Sequence, residues 1–148
     1  LQINDGDNTA YFLSRLHYPT PRLLAGTSLR RLANACIDLS DGLNSDIRHI
    51  LKASNCGATI HLDKLPLSKA MRESVEPNVA RNYAVSAGDD YELLFTVSEE
   101  QKGKLELAMA STNVCVTCIG QLNGIANKLE FRLNNTVVDE QPRGYQHF

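Results

Sequence analysis

The chain is 148 residues long, with 43% hydrophobic and 22% charged residues, a formal net charge of -2 and a pI near 6.1. This composition is typical of a soluble globular protein that forms one domain or two small ones. It excludes a general electrostatic attraction to nucleic acid or anionic lipid, because no basic block is present. No apolar run approaches the roughly 18 residues of a membrane-spanning helix. We therefore predict a cytoplasmic protein without a membrane or nucleic-acid partner.

The first predicted element is a short helix at residues 9–18, where Phe12, Leu13 and Leu16 recur at helical spacing. The PTPR segment that follows contains two prolines and stops this helix. The sequence begins with the polar stretch LQINDGDN rather than with methionine. We therefore expect the chain to be a piece of a longer protein.

A strand, a tight polar turn and a helix are predicted next. After a turn or two of helix within residues 27–35, the stretch CIDLS at 36–40 has the composition of a strand. From Leu43 the apolar residues fall at i, i+4, i+7 and i+8, which predicts an amphipathic helix that ends near residues 55–57. A further strand is predicted at 58–62.

The second half of the chain continues this mixture. Ser68 is predicted to begin a helix, and residues 76–82 are predicted to be a connection. Apolar and polar side chains alternate over residues 90–97, which predicts a well-buried strand. Ser98 opens a predicted capping box and a helix to about Thr112. Strands are predicted at 114–122, 128–133 and 137–138. The pattern predicts an α+β fold in which helices cover a mixed, mostly antiparallel sheet.

Polar oxygen-bearing side chains cluster where the strand at 36–40 gives way to the next helix. Asp38 and Ser40 lie on the same side of the predicted strand, and Asp41 occupies the turn. Two carboxylates about 5 Å apart repel each other by roughly 3 kcal/mol at an effective dielectric near 20, unless a proton or a cation lies between them. Mg²⁺ prefers oxygen ligands and leaves positions for phosphate oxygens, which a helix N-terminus also favours. The turn is therefore a candidate site for magnesium and phosphate.

A second acidic turn precedes the strand at 90–97. Gly88 permits a close approach of the backbone, and Asp89 and Asp90 form an acidic pair directly before the strand. Each turn also has a purely structural interpretation. Ser or Asp before a helix is usually an N-cap, which leaves Asp38 unexplained, and an acidic hairpin end is usually solvated.

The motifs IDLSDGLNSDIRHIL, DYELLFT and GYQHF, together with PTPR and LPLS, occur in an order and spacing that resembles the C-terminal domain of bacterial thiamine-monophosphate kinase. The resemblance covers the chain from about Tyr18 to Phe148. It implies the fold of the C-terminal domain of aminoimidazole ribonucleotide synthetase-like proteins. We accordingly assign residues 1–17 to a linker or lead-in helix from a missing N-terminal domain, and residues 18–148 to the synthetase-like domain.

The resemblance implies an enzyme that uses ATP and Mg²⁺ to phosphorylate thiamine monophosphate to thiamine diphosphate. It implies that Asp38 and Asp41 are magnesium ligands, that Asp41 is catalytic, and that Ser40 contacts ATP. It also implies substrate contacts at Asp89, where the family commonly has Glu, and at Tyr145. The Tyr145 ring has two interpretations, because it can face the cationic thiazolium of the substrate or anchor the C-terminus by packing.

The resemblance further implies that a missing N-terminal domain completes the nucleotide site and that the full-length protein is a homodimer. We expect the chain alone to have little or no kinase activity. Two alternatives remain open. One is another ATP-dependent enzyme of the superfamily, such as an aminoimidazole ribonucleotide or selenophosphate synthetase. The other is a non-catalytic binding module that has the same fold.

Two remaining motifs have ordinary structural interpretations. Cys115 and Cys118 form a CxxC pair of the kind found in zinc and redox sites, but residues three apart on a strand point to opposite faces and no second pair completes four ligands. We predict reduced cysteines buried in the core. Arg30 and Arg31 would be able to hold phosphates, but adjacent arginines beside a helix are usually a solvated face.

Overall fold

The computed structural model describes residues 7–138. Its helices are α1 (Asp7–His17), α2 (Leu23–Ser28), α3 (Leu43–Ser54), α4 (Lys69–Ser74), α5 (Pro77–Ser86) and α6 (Lys102–Met109), with short 3-10 turns at Leu62–Lys64 and Glu99–Gln101. Its strands are β1 (Ala35–Asp38), β2 (Gly57–His61), β3 (Leu93–Thr96), β4 (Gly120–Asn123), β5 (Leu129–Leu133) and β6 (Thr136–Val137). Within this range, no helix combines the length and the apolar character needed to cross a membrane.

The described strands form two sheets, whose pairing confirms the predicted α+β fold. β1 and β3 pair antiparallel, with Asp38 opposite Leu93. The second sheet has the strand order β4-β2-β5-β6. Its β2–β5 pair is parallel, whereas β2–β4 and β5–β6 are antiparallel. The sheet structure over residues 7–138 is therefore mixed and mostly antiparallel, as the sequence predicts.

α3 covers the four-stranded sheet with the apolar face that its sequence spacing predicts. Leu43, Ile47 and Leu51 are 3%, 3% and 1% exposed, and they pack in one cluster with Phe131 of β5. The helix ends where Asn55 adopts a left-handed conformation at φ 50°. Because α3 starts directly after the acidic turn, this buried face also fixes the position of the turn.

A smaller core lies against the face of the β1–β3 pair that points away from the α3 cluster. It contains Ala25, Leu29, Leu105 and Met109. Leu93, Phe95 and Val97 pack against this core, whereas Leu94 packs against the α3 cluster. The alternation predicted for residues 90–97 is therefore confirmed. The prediction that this strand is well buried is wrong, because the residues of β3 are only half-buried.

The prediction of a connection at residues 76–82 is wrong, because α5 begins at Pro77. Proline fits the first helical position, where its missing N–H would have no intrahelical partner. The Glu76 carboxylate acts as the N-cap and accepts hydrogen bonds from the N–H groups of Asn78 and Val79. The proline therefore starts a helix here instead of interrupting one.

Other helix boundaries also differ from the predictions. Ser98 is the N-cap residue of a 3-10 turn and makes no side-chain capping hydrogen bond, and Gln101 Oε1 is buried without a hydrogen-bond partner among the described residues. The predicted capping box is therefore absent, and α6 ends at Met109 rather than near Thr112. The helix expected within residues 27–35 is instead α2, which precedes most of that stretch.

The predicted strand at 114–122 is regular only from Gly120 onward. Cys115 and Cys118 lie in the irregular part and are exposed, so the prediction of buried core cysteines is wrong. The thiol of Cys118 donates a weak hydrogen bond to the Gly120 carbonyl oxygen at 3.6 Å. The physical reason for the error is that the regular pairing of β2 with β4 reaches only to Gly120, and the Ile119 carbonyl accepts one further hydrogen bond from the N–H of His61. Both cysteines lie before this point, outside the regular strand.

Candidate functional site

The turn between β1 and α3 carries three of the predicted site residues. Asp38 is the last residue of β1 and is exposed, whereas Ser40 and Asp41 are half-buried. The Ser40 hydroxyl donates to Oδ1 of Asp41 at 3.3 Å. Gly42 has a φ of 96°, and a Cβ at this position would lie 2.9 Å from the Ala87 carbonyl oxygen. The tight turn therefore requires glycine.

Asp46 holds this turn in place from inside α3. It is 2% exposed, and its Oδ2 accepts hydrogen bonds from the backbone N–H groups of Ser40 at 3.0 Å and Asp41 at 3.1 Å. The N-cap residue of α3 is Gly42, which makes no side-chain capping hydrogen bond, so neither Ser40 nor Asp41 is the N-cap of this helix. Asp46 was not predicted as part of the site, although an acidic residue in the first turn of a helix is a recognisable signal in the sequence.

Backbone hydrogen bonds join the two acidic turns. The N–H of Tyr91 donates to the Leu39 carbonyl, and the N–H of Asp89 donates to the Ser40 carbonyl, each at 2.9 Å. Gly88 makes this approach possible, because a Cβ there would lie 2.2 Å from the Ser40 carbonyl oxygen. The structure therefore brings together the two acidic clusters that are far apart in the sequence.

The segment before β3 adopts a backbone conformation that is uncommon for residues with a side chain. Asp89 and Tyr91 have φ values of 65° and 50°, and such residues are held in place by their surroundings. The Tyr91 hydroxyl donates to Oδ1 of Asp89 at 3.1 Å. This hydrogen bond raises the pKa of Tyr91, and the negative charges of Asp89, Asp38 and Asp41 raise it further. Carboxylates of both turns therefore act on one hydroxyl group.

Glu92 connects the joined turns to the PTPR segment. Its carboxylate accepts hydrogen bonds from Arg22 at 2.8 Å (Nε) and 2.5 Å (Nη2), and from Arg15 Nη2 at 3.0 Å. The bond to Glu92 raises the pKa of Arg22. The Glu92 carbonyl also accepts the N–H of Leu39 at 2.9 Å. Because bidentate arginine–carboxylate pairs are geometrically specific, this pairing sets where the PTPR segment lies relative to the turns.

Asp90, in the second turn, has a carboxyl group whose pKa is raised well above its ordinary value. Desolvation raises its pKa to about 6, the charges of Glu92 and Asp89 raise it as well, and Arg15 lowers it. The residue as a whole is exposed, so the shift comes from atoms close to the carboxyl group and not from complete burial. This acidic turn therefore contains a group that titrates near neutral pH.

A cleft of about 600 Å³ opens beside Asp38. Its walls come from residues 19–30 and from Asp38, Tyr91 and Leu93. The volume lies within the range of about 300–1,000 Å³ that is typical of small-molecule sites. Arg30 also lines the cleft, whereas the adjacent Arg31 does not. The predicted solvated arginine pair is therefore divided between the cleft and the outside surface.

The donor set of the first turn is compatible with Mg²⁺. Asp38 and Asp41 offer carboxylate oxygens, which are the ligands that this ion prefers. Over residues 7–138, no group of three or more His, Cys, Asp or Glu side chains is arranged to hold a metal ion. Mg²⁺ commonly binds through one or two carboxylates and completes its coordination with water and substrate phosphates. The described residues fit such a partial site.

The structure thus unites four of the five predicted site residues. Ser40 and Asp41 lie in the first turn, Asp38 ends the strand directly before it, and Asp89 is exposed on the turn that is bonded to it. Tyr145 lies outside the described residues. Tyr91 was not predicted as a site residue, because in the sequence it appears only as one apolar position of a strand.

Residues 11–125 match the family described as AIR synthase related protein, C-terminal domain. The chain is also similar to thiamine-monophosphate kinase from Escherichia coli (strain K12), with 47% identity over 148 residues. This match covers 100% of the chain and 46% of that protein. The chain therefore spans less than half the length of this relative.

Solved structures give the same comparison. Thiamine-monophosphate kinase from Stenotrophomonas maltophilia K279a superposes with a TM-score of 0.79 and 34% identity, over 93% of this chain and 42% of that one. A structure described as AaThiL complexed with AMPPCP and TMP superposes with a TM-score of 0.75 and 27% identity, over 98% of this chain and 43% of that one. Because the family match spans most of the sequence and the fold agrees with it, the chain belongs to the AIR synthase related protein, C-terminal domain, family.

Proposed function

We propose that this chain is the C-terminal part of a thiamine-monophosphate kinase, which transfers the γ-phosphoryl group of ATP to thiamine monophosphate. The observation that carries the proposal is the backbone bonding between the acidic turn of Ser40 and the acidic turn of Asp89. This bonding supports the proposal because it holds the turn assigned to the nucleotide next to the turn assigned to the acceptor. The similarity to kinases and to a structure that holds AMPPCP and TMP supports the same activity.

In this proposal Asp38 and Asp41 bind Mg²⁺, Ser40 contacts ATP and Asp89 contacts thiamine monophosphate. Mg²⁺ would neutralise the negative charge of the phosphates during transfer. The chain's own residues would position the metal and the phosphates. Asp46 fixes the backbone of Ser40 and Asp41 through two hydrogen bonds, so both side chains start from a defined place. Phosphoryl transfer needs such positioning and charge stabilisation, and it does not need a covalent nucleophile of the enzyme.

The remainder of the enzyme forms a second part of the proposal. Residues 1–17 would lead in from an N-terminal domain, and residues 18–148 would form the C-terminal domain. The N-terminal domain would add magnesium ligands and much of the nucleotide site, and the full-length enzyme would be a homodimer. The coverage of 46% of the Escherichia coli relative supports a missing part of this size. Tyr145 remains a proposed second contact with the substrate.

Replacement of Asp41 in the full-length protein tests the proposal. Asp41→Ala should lower kcat/KM for the formation of thiamine diphosphate by about a hundredfold or more, because a preorganised electrostatic group at a transfer centre contributes on that order. Asp63→Ala is the matched control, since Asp63 is exposed and accepts only a 3.3 Å hydrogen bond from the N–H of Asn134 among the described residues. The control should retain activity within about twofold, as expected for a surface change of this kind.

The same assay separates the alternatives. Full activity of the Asp41→Ala protein would remove the metal role and favour a binding module. If the unaltered full-length protein consumes ATP with selenide or an aminoimidazole ribonucleotide precursor, and not with thiamine monophosphate, another enzyme of the superfamily is the correct assignment.

A further inference from the structure

The cleft beside Asp38 combines apolar and charged walls. Its apolar wall includes Pro19, Pro21, Leu23 and Leu93. Leu23 is 77% exposed within the described residues, and its side chain gives the cleft apolar surface. Thr27 and Arg30 continue along α2 and the turn that follows it, where the N–H of Arg30 donates to the Thr27 carbonyl at 3.2 Å. The cleft is therefore able to bind a molecule that has both an apolar ring and a charged group.

Arg30 is the available cation of this cleft. Arg22 also lines it, but the Arg22 guanidinium is paired with Glu92 through two hydrogen bonds. Within residues 7–138, no side-chain hydrogen bond or salt bridge involves the Arg30 guanidinium, and the residue is exposed. An arginine that lines a concave surface without a carboxylate partner is suited to an anionic ligand, since its planar group binds phosphate oxygens in pairs.

Tyr91 gives the cleft an aromatic wall in a negative environment. Tyr91 is exposed, its hydroxyl donates to the Asp89 carboxylate at 3.1 Å, and Asp38 lines the same cleft. An aromatic face near carboxylates attracts a cationic ring through the charge distribution of the aromatic system and through the nearby negative charges. The cleft therefore offers separate positions for an anion at Arg30 and for a cation at Tyr91.

We infer that this cleft binds the acceptor substrate, with Arg30 contacting the phosphate and Tyr91 contacting the cationic ring. The inference rests on the proposed function, because thiamine monophosphate combines a phosphate monoester, a cationic thiazolium and apolar ring surface. Asp38 belongs both to the cleft and to the acidic turn. An acceptor phosphate at Arg30 would therefore lie beside the residues that are proposed to hold the ATP phosphates.

The test uses the full-length protein and measures Kd by calorimetry for two probes, thiamine monophosphate and thiamine, without ATP or Mg²⁺. Arg30→Ala should weaken thiamine monophosphate binding by about tenfold to a hundredfold, because it removes charge-assisted hydrogen bonds to the phosphate. It should leave the Kd of thiamine within about twofold, since thiamine has no phosphate. Arg30→Lys should recover part of the loss because it retains the charge.

Arg31→Ala is the matched control, because it removes the same charge one position away and outside the cleft. It should change neither Kd by more than about twofold. Tyr91→Leu should weaken both probes by a similar factor of about three to thirty, because both contain the thiazolium. Thermal unfolding of each variant shows whether the fold is retained.

Three results would overturn the inference: equal weakening of both probes by Arg30→Ala, no weakening by it, or an equal effect of Arg31→Ala. The proposed function is decided separately. If the unaltered protein binds thiamine monophosphate but does not phosphorylate it with ATP and Mg²⁺, the kinase assignment fails and the cleft assignment stands. If it binds neither probe, both are wrong.

Discussion

Asp41 and Asp46 have the same side chain and belong to the same turn, but their surroundings give them different tasks. Asp46 is 2% exposed, and one of its oxygens accepts two backbone hydrogen bonds. Asp41 is half-buried and follows a serine whose hydroxyl donates to it. Asp46 therefore organises the turn, and Asp41 presents a carboxylate from it.

Removal of the Asp46 carboxylate should destabilise the fold. Asp46→Ala leaves the N–H groups of Ser40 and Asp41 without their acceptor, and we expect a loss of about 1–3 kcal/mol in the free energy of unfolding. Asp46→Asn should lose less, because an amide oxygen can still accept one hydrogen bond. Urea denaturation monitored by circular dichroism measures both changes. Equal stability of Asp46→Ala and Asp63→Ala would show that the two hydrogen bonds do not organise the turn.

Asp90 should make stability depend on pH in the acidic range. Its pKa in the folded chain is about 6, above the ordinary 3.8, so the folded state binds this proton more tightly than the unfolded state does. Its contribution to stability is therefore fully present below pH 4 and is lost as pH rises toward 6. Solvent screening of the exposed residue limits the change to about 1 kcal/mol or less. Unfolding of wild type and Asp90→Asn should converge at low pH, with the variant relatively more stable at pH 7.

A pH-independent difference between these two proteins would contradict the shifted pKa of Asp90. Asp63→Asn is a suitable control, because its side chain is exposed and far along the chain from the acidic turns. It should follow the pH dependence of the wild type.

At the scale of single residues, the sequence predicts where the acidic groups cluster, and the binding roles assigned to them stay predictions. Ser40, Asp41 and Asp89 lie in short polar turns and Asp38 ends the strand before one of them, a pattern that the sequence displays directly. Asp46 was not predictable as a structural anchor, because its partners are backbone N–H groups whose position depends on the folded turn. Tyr91 was not predictable as part of the site, because its φ of 50° takes it out of the regular strand.

At the scale of elements, the β1–β3 pair is what assembles the site. The antiparallel register places Asp38 opposite Leu93, so the turn after β1 and the turn before β3 leave the sheet at the same end. The sequence predicts both strands and both turns. It does not predict their pairing, because local periodicity carries no information about which distant strand is the partner.

Gly88 should be the most sensitive position of this junction. A Cβ at residue 88 would lie 2.2 Å from the Ser40 carbonyl oxygen, and backbone atoms on both sides cannot move away independently. We expect Gly88→Ala to lower the free energy of unfolding by about 1–3 kcal/mol through overpacking. Thermal or urea unfolding of the chain measures this loss.

Gly103→Ala provides the matched control for the same chemical change. Residue 103 lies in α6, and an added Cβ would meet no atom within 4 Å. Alanine should therefore stabilise the helix by about 0.5–1 kcal/mol. Destabilisation by both alanines, or by neither, would contradict the assignment of a tight contact to Gly88.

The remaining elements show where sequence periodicity is sufficient. α3 was predicted closely, because its apolar residues form one continuous face and Leu43, Ile47 and Leu51 are all buried. α5 was missed, because only Ala80 and Val85 are buried in it and its sequence has little apolar periodicity. Tertiary packing and the Glu76 cap decide its conformation more than its own composition does.

At the scale of the whole molecule, the β1–β3 pair separates two apolar clusters. The larger cluster joins α3 to the four-stranded sheet, and the smaller one joins α2 to α6. The cleft opens along α2, at the side of the smaller cluster. The acidic turns are therefore held by two packed clusters. The wall of the cleft beside them, in contrast, comes largely from the short helix α2 and the PTPR segment before it.

The chain by itself should not carry the proposed reaction. With ATP, Mg²⁺ and thiamine monophosphate, we expect turnover at least about a thousandfold below that of the full-length protein, because on the proposed function the N-terminal domain would supply part of the charge-stabilising groups. Far-UV circular dichroism and a cooperative thermal transition confirm that the chain is folded in the assay. Comparable turnover by both proteins would show that these 148 residues contain the entire catalytic centre.

Leu39 has both of its main-chain polar groups bonded to the opposite turn: its N–H to the Glu92 carbonyl and its carbonyl to the N–H of Tyr91. A ligand that displaces one turn must therefore displace the other. On the proposed function, nucleotide and acceptor would then alter each other's affinity through this junction as well as through their direct contact. Thermodynamic reciprocity requires that the factor by which ATP changes the affinity for the acceptor equals the factor by which the acceptor changes the affinity for ATP.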